Sequence, residues 1–397
     1  MSSPEKDSQK IEGVTFVQFS DKILTPDSTM RDYYRMAYAQ MDGYYFPEHY
    51  MEIPFWIPTI AGMLQNRRYR KSLHIVEDMD ASITGLGEQD DSECLLFSVM
   101  TANEEKVKKI VGNTSKQVVM GGYTDPAEFR QYKNAVYLNK TEDLTGAFEV
   151  ESEVLPDYSL FEGEKCIPRL ILSTGCLFKC TFCTVPTTLT VSNESLLREQ
   201  VEALKPLDFK LIFIDDKSFS QAENWRLIDD IYQQTKAYNP NFQGFIIQTP
   251  PLLANKNGFL EEAKALGVKY IELGVETVND SYLEMFNKPF TIKQLNQLVE
   301  KVRDLNLKII PNLIMGIPGD DYLDTIKWIE RNIDVIPVVN VNFLAIHYGN
   351  QRGQLPFSPV SIGDKDQNTP EKSWLTPEDM IRMKEAVNII YQLILGI

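Results

Sequence analysis

Three of the chain's five cysteines, Cys176, Cys180 and Cys183, fall within eight residues, in the run Gly175-Cys-Leu-Phe-Lys-Cys-Thr-Phe-Cys. Thiolates are soft ligands. Three of them in one short loop can each take one iron of a cubane and leave the fourth iron without a protein ligand, open to a reactant. A structural zinc is the competing reading, but it wants four ligands. No fourth Cys or His stands close: Cys166 lies ten residues upstream, Cys94 is more distant, and His49, His74 and His347 are scattered. An odd cysteine count with three so crowded is also a poor disulfide framework for a chain of 397 residues.

The elements that must carry this loop alternate between strand and helix, which favours an α/β architecture with parallel sheets. In the first part, the apolar runs Val14 to Phe19, Leu73 to Val76, Cys94 to Val99, Val118 to Met120 and Ala135 to Leu138 read as strands of a doubly wound domain. Between two of them, Asn103 to Val111 reads as an amphipathic helix with Val107, Ile110 and Val111 on one face. The acidic stretch around Pro156 has little periodicity and marks a boundary. Beyond it, strands are expected over Arg169 to Ser173, Leu211 to Ile214, Phe245 to Gln248, Tyr270 to Leu273, Ile309 to Ile314 and Val339 to Ala345. Helical stretches such as Ser195 to Leu204 and Ile292 to Leu305 separate them. Six such units describe a partial (β/α)6 TIM barrel, whose functional groups gather at the carboxyl ends of the strands. A last helix is announced by Thr376 as cap and Pro377 at its first position. The resulting division is a polar tail over 1–12, a Rossmann-like domain over 13–148, a linker over 149–165, the barrel over 166–349, and a carboxyl-terminal loop and helix over 350–397.

Cys-x3-Cys-x2-Cys, with Phe182 directly before the last cysteine, resembles the radical S-adenosylmethionine (SAM) superfamily. Three more segments follow in order at strand ends. Asp215-Asp216-Lys217-Ser218-Phe219 is similar to the acidic turn that holds the amino group of SAM, with Asp216 as the contact. Gly274-Val275-Glu276-Thr277 is similar to the segment where a carboxylate, here Glu276, accepts hydrogen bonds from the ribose. Ile314-Met315-Gly316-Ile317-Pro318-Gly319 resembles the turn beside the adenine, shaped by Gly316. Taken singly, each fragment is a common surface motif. The resemblance implies a [4Fe-4S] cluster on Cys176, Cys180 and Cys183, SAM chelated to the open iron, and reductive cleavage to a 5′-deoxyadenosyl radical. It puts the backbone of Phe182 near the adenine, a position that packing alone would also explain. An electron donor such as flavodoxin or ferredoxin follows from the same chemistry.

In the first domain, Ser98 ends one strand and Gly121-Gly122 ends the next. This resembles the cobalamin-binding domain that precedes the barrel in many members of the superfamily, and it implies cobalamin-dependent methylation of an unactivated carbon. The Asp-x-His-x-x-Gly loop of other cobalamin proteins is absent, Ile23 standing where the histidine would be. A domain of the same fold that binds no corrinoid remains open, since Gly-Gly after a buried strand is also a steric solution. Radical rearrangement, cyclisation or dehydrogenation without methyl transfer would then follow. A non-catalytic iron–sulfur or zinc protein is the reading from another class. His347 and Tyr348, at the end of the sixth barrel strand, are candidates to meet substrate.

Composition narrows the partners. A formal net charge of −16 repels polyanions, so nucleic acid is an unfavoured partner and a small molecule the favoured substrate. The one basic cluster is Arg67, Arg68, Arg70 and Lys71, which reads as a solvated helix end. Neither a secretory signal nor a membrane-spanning run is visible, which places the protein in the cytoplasm. Tyr33, Tyr34, Tyr38, Tyr44, Tyr45, Phe46, Tyr50, Phe55 and Trp56 form an aromatic-rich span that reads as a buried helix pair or as a lid.

Overall fold

The computed structural model describes residues 11–24, 28–64, 68–100, 102–151, 155–222, 225–344 and 375–397. His347 and Tyr348, together with Arg67 and Ala345, lie outside the described residues. The chain forms two compact units, Met1–Arg31 with Pro47–Glu164, and Asp32–Phe46 with Lys165–Ile397.

The first unit is built on a parallel sheet in the order Arg70–Val76, Gly13–Phe19, Cys94–Val99, Gln117–Gly122, Ala135–Leu138. Its central strands are buried on both faces, which is why they read as continuous apolar runs rather than as alternation. Helix Glu104–Gly112 lays Val107, Ile110 and Val111 into the core beside Phe97, Val118 and Met120. This is the Rossmann-like half of the expected fold. The stretch before the barrel is packed: Tyr158 and Phe161 are buried, and Asp157 pairs with Lys71 at 3.0 Å. That pairing also revises the basic cluster. Arg70 and Lys71 open a strand rather than end a helix, Arg68 pairs with Glu149, and Arg70 pairs with Asp91 at 3.1 Å. The described members of the cluster are each neutralised by a carboxylate.

The second unit carries six parallel strands in chain order: Arg169–Leu170, Leu211–Ile214, Gly244–Thr249, Val268–Glu276, Lys308–Met315 and Asn340–Phe343. This is the partial barrel. Its first strand is shorter than the apolar run, and Ser173–Thr174 pairs antiparallel with Thr190–Val191. The cause is Asp216, whose Oδ1 accepts from the backbone N–H of Leu172 and of Ser173 and so removes both donors from the ladder. Helix Ile292–Asp304 starts with a reciprocal capping box between Thr291 and Gln294 and buries Leu295, Leu298, Val299 and Val302. Helix Pro377–Leu395 starts on the Thr376–Asp379 box and ends at Gly396, φ 69°.

The aromatic-rich span resolves into helix Ser28–Ala39, an irregular stretch and helix Trp56–Met63. Tyr33, Tyr34 and Tyr38 protect the free edge of the sixth barrel strand. The Tyr33 hydroxyl accepts from Val339 N and donates to Val339 O, both at 3.0 Å, and Tyr34 treats Val341 in the same way. Tyr38 donates to Asn340 Oδ1 at 2.6 Å. Among the described residues no strand pairs on this edge, and the tyrosine hydroxyls take up its backbone groups instead. Among the described residues, no helix is long and apolar enough to cross a membrane.

Candidate functional site

Gly175 begins the cysteine loop. Its φ is +90°, and a Cβ there would stand 1.9 Å from Thr188 O, so only glycine lets the chain turn off the strand against its neighbour. Cys176 N then donates to Pro186 O at 2.8 Å, Cys183 N to Cys180 O at 3.2 Å, and Val185 N to Cys183 Sγ at 3.4 Å. All three cysteines are half-buried and border one cavity of about 170 Å3 at the carboxyl ends of the barrel strands. Among the described residues, no three Cys, His, Asp or Glu side chains stand close enough to share one metal ion. Cys94 and Cys166 are fully buried away from the loop, and burial pushes the Cys94 thiol up to about 12.

Glu276 reaches the same cavity. It sits at a register shift against the neighbouring strand with φ +65°, a left-handed conformation that costs a non-glycine residue about 1–3 kcal/mol and marks functional positions. Its carboxylate accepts from Lys288 Nζ at 2.9 Å, with the two side chains only 12% and 6% exposed. Burial works against the charge on Lys288, but Glu276 and the neighbouring Cys180 outweigh it, so the ammonium is held more tightly protonated than usual. Burial pushes the Cys180 thiol up, against the pull of Lys288. Phe182 lines the cavity and packs edge-to-face on Phe286 at 5.2 Å, so its packing role and its place at the site coexist.

Neither Asp216 nor Gly316 borders this cavity. Asp216 is fully buried, its carboxylate spent on Leu172 N, Ser173 N and the Ser173 hydroxyl at 2.6–2.9 Å, and it does not border the cavity. The same turn instead presents Lys217 and Ser218. Ser218 is 2% exposed, and its Oγ is a buried polar atom with no hydrogen-bond partner among the described residues. Such an orphan is costly unless a ligand group satisfies it. Gly316 is likewise not in the cavity wall. Its φ of +85° serves a turn whose N–H donates to the Tyr322 hydroxyl at 2.9 Å, and it faces Leu375 and Met383. Lys288, in the wall, has no place in the sequence reading, and Gly274, also in the wall, enters it only within the ribose-segment motif. A buried lysine has no signature in a single chain, and Gly274 looked like part of a motif rather than a space-maker.

In the first unit, Ser98, Gly121 and Gly122 border a second cavity of about 270 Å3 at the carboxyl edge of the sheet, with Trp56, Tyr123 and Leu138. Ligands of open parallel sheets bind at this edge. Gly122 is imposed by the fold itself, since a Cβ would lie 1.9 Å from Val99 O. Ile23 packs against the core, so the loop after the first strand presents an apolar side chain where the histidine would be.

The structure thus defines an α/β protein with a cysteine loop at the carboxyl ends of a six-stranded parallel partial barrel, preceded in sequence by a doubly wound domain. Residues 170–331 match the model of the Radical SAM superfamily. The chain is 31% identical over 176 residues, 43% of its own length and 33% of the relative's, to the hopanoid C-3 methylase of Methylococcus capsulatus. It is 22% identical over 218 residues, half of each chain, to the tRNA-2-methylthio-N(6)-dimethylallyladenosine synthase of Aliarcobacter butzleri. The chain therefore spans a third to a half of the curated relatives it matches. Its fold is that of the radical SAM methyltransferase TsrM from Kitasatospora setae, solved with tryptophan and a SAM analogue, with a TM-score of 0.59, 12% identity and coverage of 96% of this chain and 89% of that one. The cobalamin-dependent radical enzyme OxsB, solved with aqua-cobalamin and SAM, gives a TM-score of 0.56 at 16% identity, covering 84% of this chain and 53% of that one.

Proposed function

We propose that this chain cleaves SAM reductively at a [4Fe-4S] cluster held by Cys176, Cys180 and Cys183, and uses the radical for cobalamin-dependent methylation of an unactivated carbon in a small molecule. Bound in these sites, the cluster would supply the electron that splits SAM into methionine and a 5′-deoxyadenosyl radical, and cobalamin the methyl group. The observation that carries the reading is one cavity bordered by three thiols, a strained carboxylate and an orphaned buried hydroxyl. Glu276 is the candidate acceptor for the ribose hydroxyls. Ser218, rather than Asp216, is the candidate for the polar end of SAM, because its Oγ needs a partner and the Asp216 carboxylate does not. Ser98, Gly121 and Gly122 would hold one end of the cobalamin.

Anaerobic reconstitution with iron, sulfide and hydroxocobalamin tests this. Iron and cobalt should both be retained, and dithionite with SAM should yield 5′-deoxyadenosine and S-adenosylhomocysteine. Cys180→Ala should abolish both. A protein that holds iron and cleaves SAM but retains no cobalt would favour radical chemistry without methyl transfer. That second reading draws on Gly122, whose identity packing alone explains. Absence of 5′-deoxyadenosine would leave a non-catalytic iron–sulfur protein. A small-molecule substrate is favoured over RNA by the charge of −16. A low-potential carrier of the flavodoxin or ferredoxin class would deliver the electron in the cell.

A further inference from the structure

Lys288 lies in the wall of the cysteine cavity as its buried cation. We infer that Lys288 is a positioning residue acting through the cluster: pinned by Glu276, its ammonium is a fixed positive charge beside Cys180 and Cys183 that raises the reduction potential of the cluster they hold. The inference rests on the reading that the three cysteines ligate a [4Fe-4S] cluster.

The place is built for a cation. Gly274 leaves the room, since a Cβ there would stand 3.2 Å from Lys288 Nζ and 2.9 Å from Glu276 Oε1. The rings of Phe182 and Phe290 each have their centroid 5.9 Å from Nζ, within range of cation–π attraction. The segment that delivers Lys288 also braces the cysteine loop: Thr181 N donates to Phe286 O at 3.1 Å, Thr181 Oγ1 to Met285 O at 3.3 Å, and Asn287 Nδ2 to Lys179 O at 2.8 Å. Cation and thiols are therefore held by one strapped unit. Lys288, Cys180 and Cys183 border the same small cavity.

Charge makes the direction definite. A cluster accepting one electron from a low-potential one-electron donor gains a unit of negative charge, with no bond made or broken. In a poorly solvated wall, that gain is eased by a fixed cation nearby.

The test is a potentiometric titration followed by electron paramagnetic resonance, with dithionite as reductant and no SAM, on the full chain and on Lys288→Met and Lys288→Arg. Lys288→Met should shift the cluster's reduction equilibrium at least about tenfold toward the oxidised form, about 59 mV for one electron, with iron and sulfide per chain unchanged. Lys288→Arg should restore most of the shift. A Lys288→Met reduction equilibrium shifted by less than about tenfold at full iron content overturns the inference. Should Lys288→Met fold but hold no cluster, Lys288→Arg decides. A cluster with wild-type potential supports a requirement for charge, whereas loss of the cluster there too assigns the effect to shape and overturns the inference. A wild-type chain that yields no reducible [4Fe-4S] signal sinks the cluster reading itself, and is told apart because it fails before any variant is compared.

Discussion

Glu276 and Lys288 meet at 2.9 Å in the wall of the cysteine cavity, and the pair fits only because residue 274 has no side chain. Two strained or costly features, a left-handed glutamate and a buried lysine, are thus kept together at one place. Neither is explained by stability alone, because a buried ion pair is rarely a net gain over apolar packing.

Gly274→Ala should therefore act on chemistry more than on folding. The atoms a Cβ would meet are the far ends of Glu276 and Lys288, which can swing aside, so the loss of stability should be about 1 kcal/mol. The displaced carboxylate and ammonium should lower 5′-deoxyadenosine formation by about tenfold or more. A thermal melt beside a single-turnover SAM cleavage assay checks the split. Wild-type cleavage in the variant would show that the pair has no part in the reaction.

Gly175→Ala should do the reverse. Its Cβ would strike a backbone carbonyl, Thr188 O at 1.9 Å, and backbone cannot swing away. Unfolding should become easier by about 2–4 kcal/mol, and iron retained per chain should fall with the loop's geometry. Gly163→Ala is the control, with a similar φ of +76° and nothing within 4 Å of the added atom. It should keep its iron. Equal iron content in the two variants would remove the claim that Gly175 shapes the cysteine loop.

The barrel and the leading domain were legible because parallel strands buried on both faces appear as apolar runs. Leu211–Ile214, Cys94–Val99 and Ala135–Leu138 fall where their runs do, and Thr376 with Pro377 opens the last helix as their chemistry demands. The three cysteines, singled out by their spacing, border one cavity. The choice between adjacent polar residues was not legible. Asp216 and Ser218 sit two apart in one turn, and which of them faces the cavity is decided by two N–H groups more than forty residues upstream. Lys288 escaped for a similar reason, since its burial depends on Glu276 and on the absence of a side chain at 274.

Asp216 can be tested as a structural residue. Asp216→Ala leaves the N–H groups of Leu172 and Ser173 buried without an acceptor and should cost about 2–5 kcal/mol. Asp216→Asn should cost only about 1 kcal/mol, because the amide oxygen can serve both N–H groups while the Ser173 hydroxyl turns to accept from the amide nitrogen. SAM affinity of the reconstituted Asn variant should stay within about twofold of wild type. A tenfold loss of SAM affinity at near-normal stability would return Asp216 to the role its motif implied.

Acid should loosen the first unit through Asp157. Burial opposes its charge, but the N–H and hydroxyl of Ser159 and then the Lys71 ammonium prevail and hold the carboxyl below its ordinary value. A carboxyl depressed in the folded state binds its proton more readily once unfolded, at about pH 3.9 for an unperturbed aspartate. Its contribution is therefore complete above that pH, declines as pH falls toward the folded value, and is lost below it. Urea unfolding of wild type and Asp157→Asn should show a stability gap that is constant from about pH 7 to 5 and closes below about pH 4. Taking the difference cancels the other carboxyls that titrate in the same range. A gap that persists unchanged at pH 3 would mean that the asparagine disturbs packing, and that the ion pair with Lys71 contributes nothing of its own.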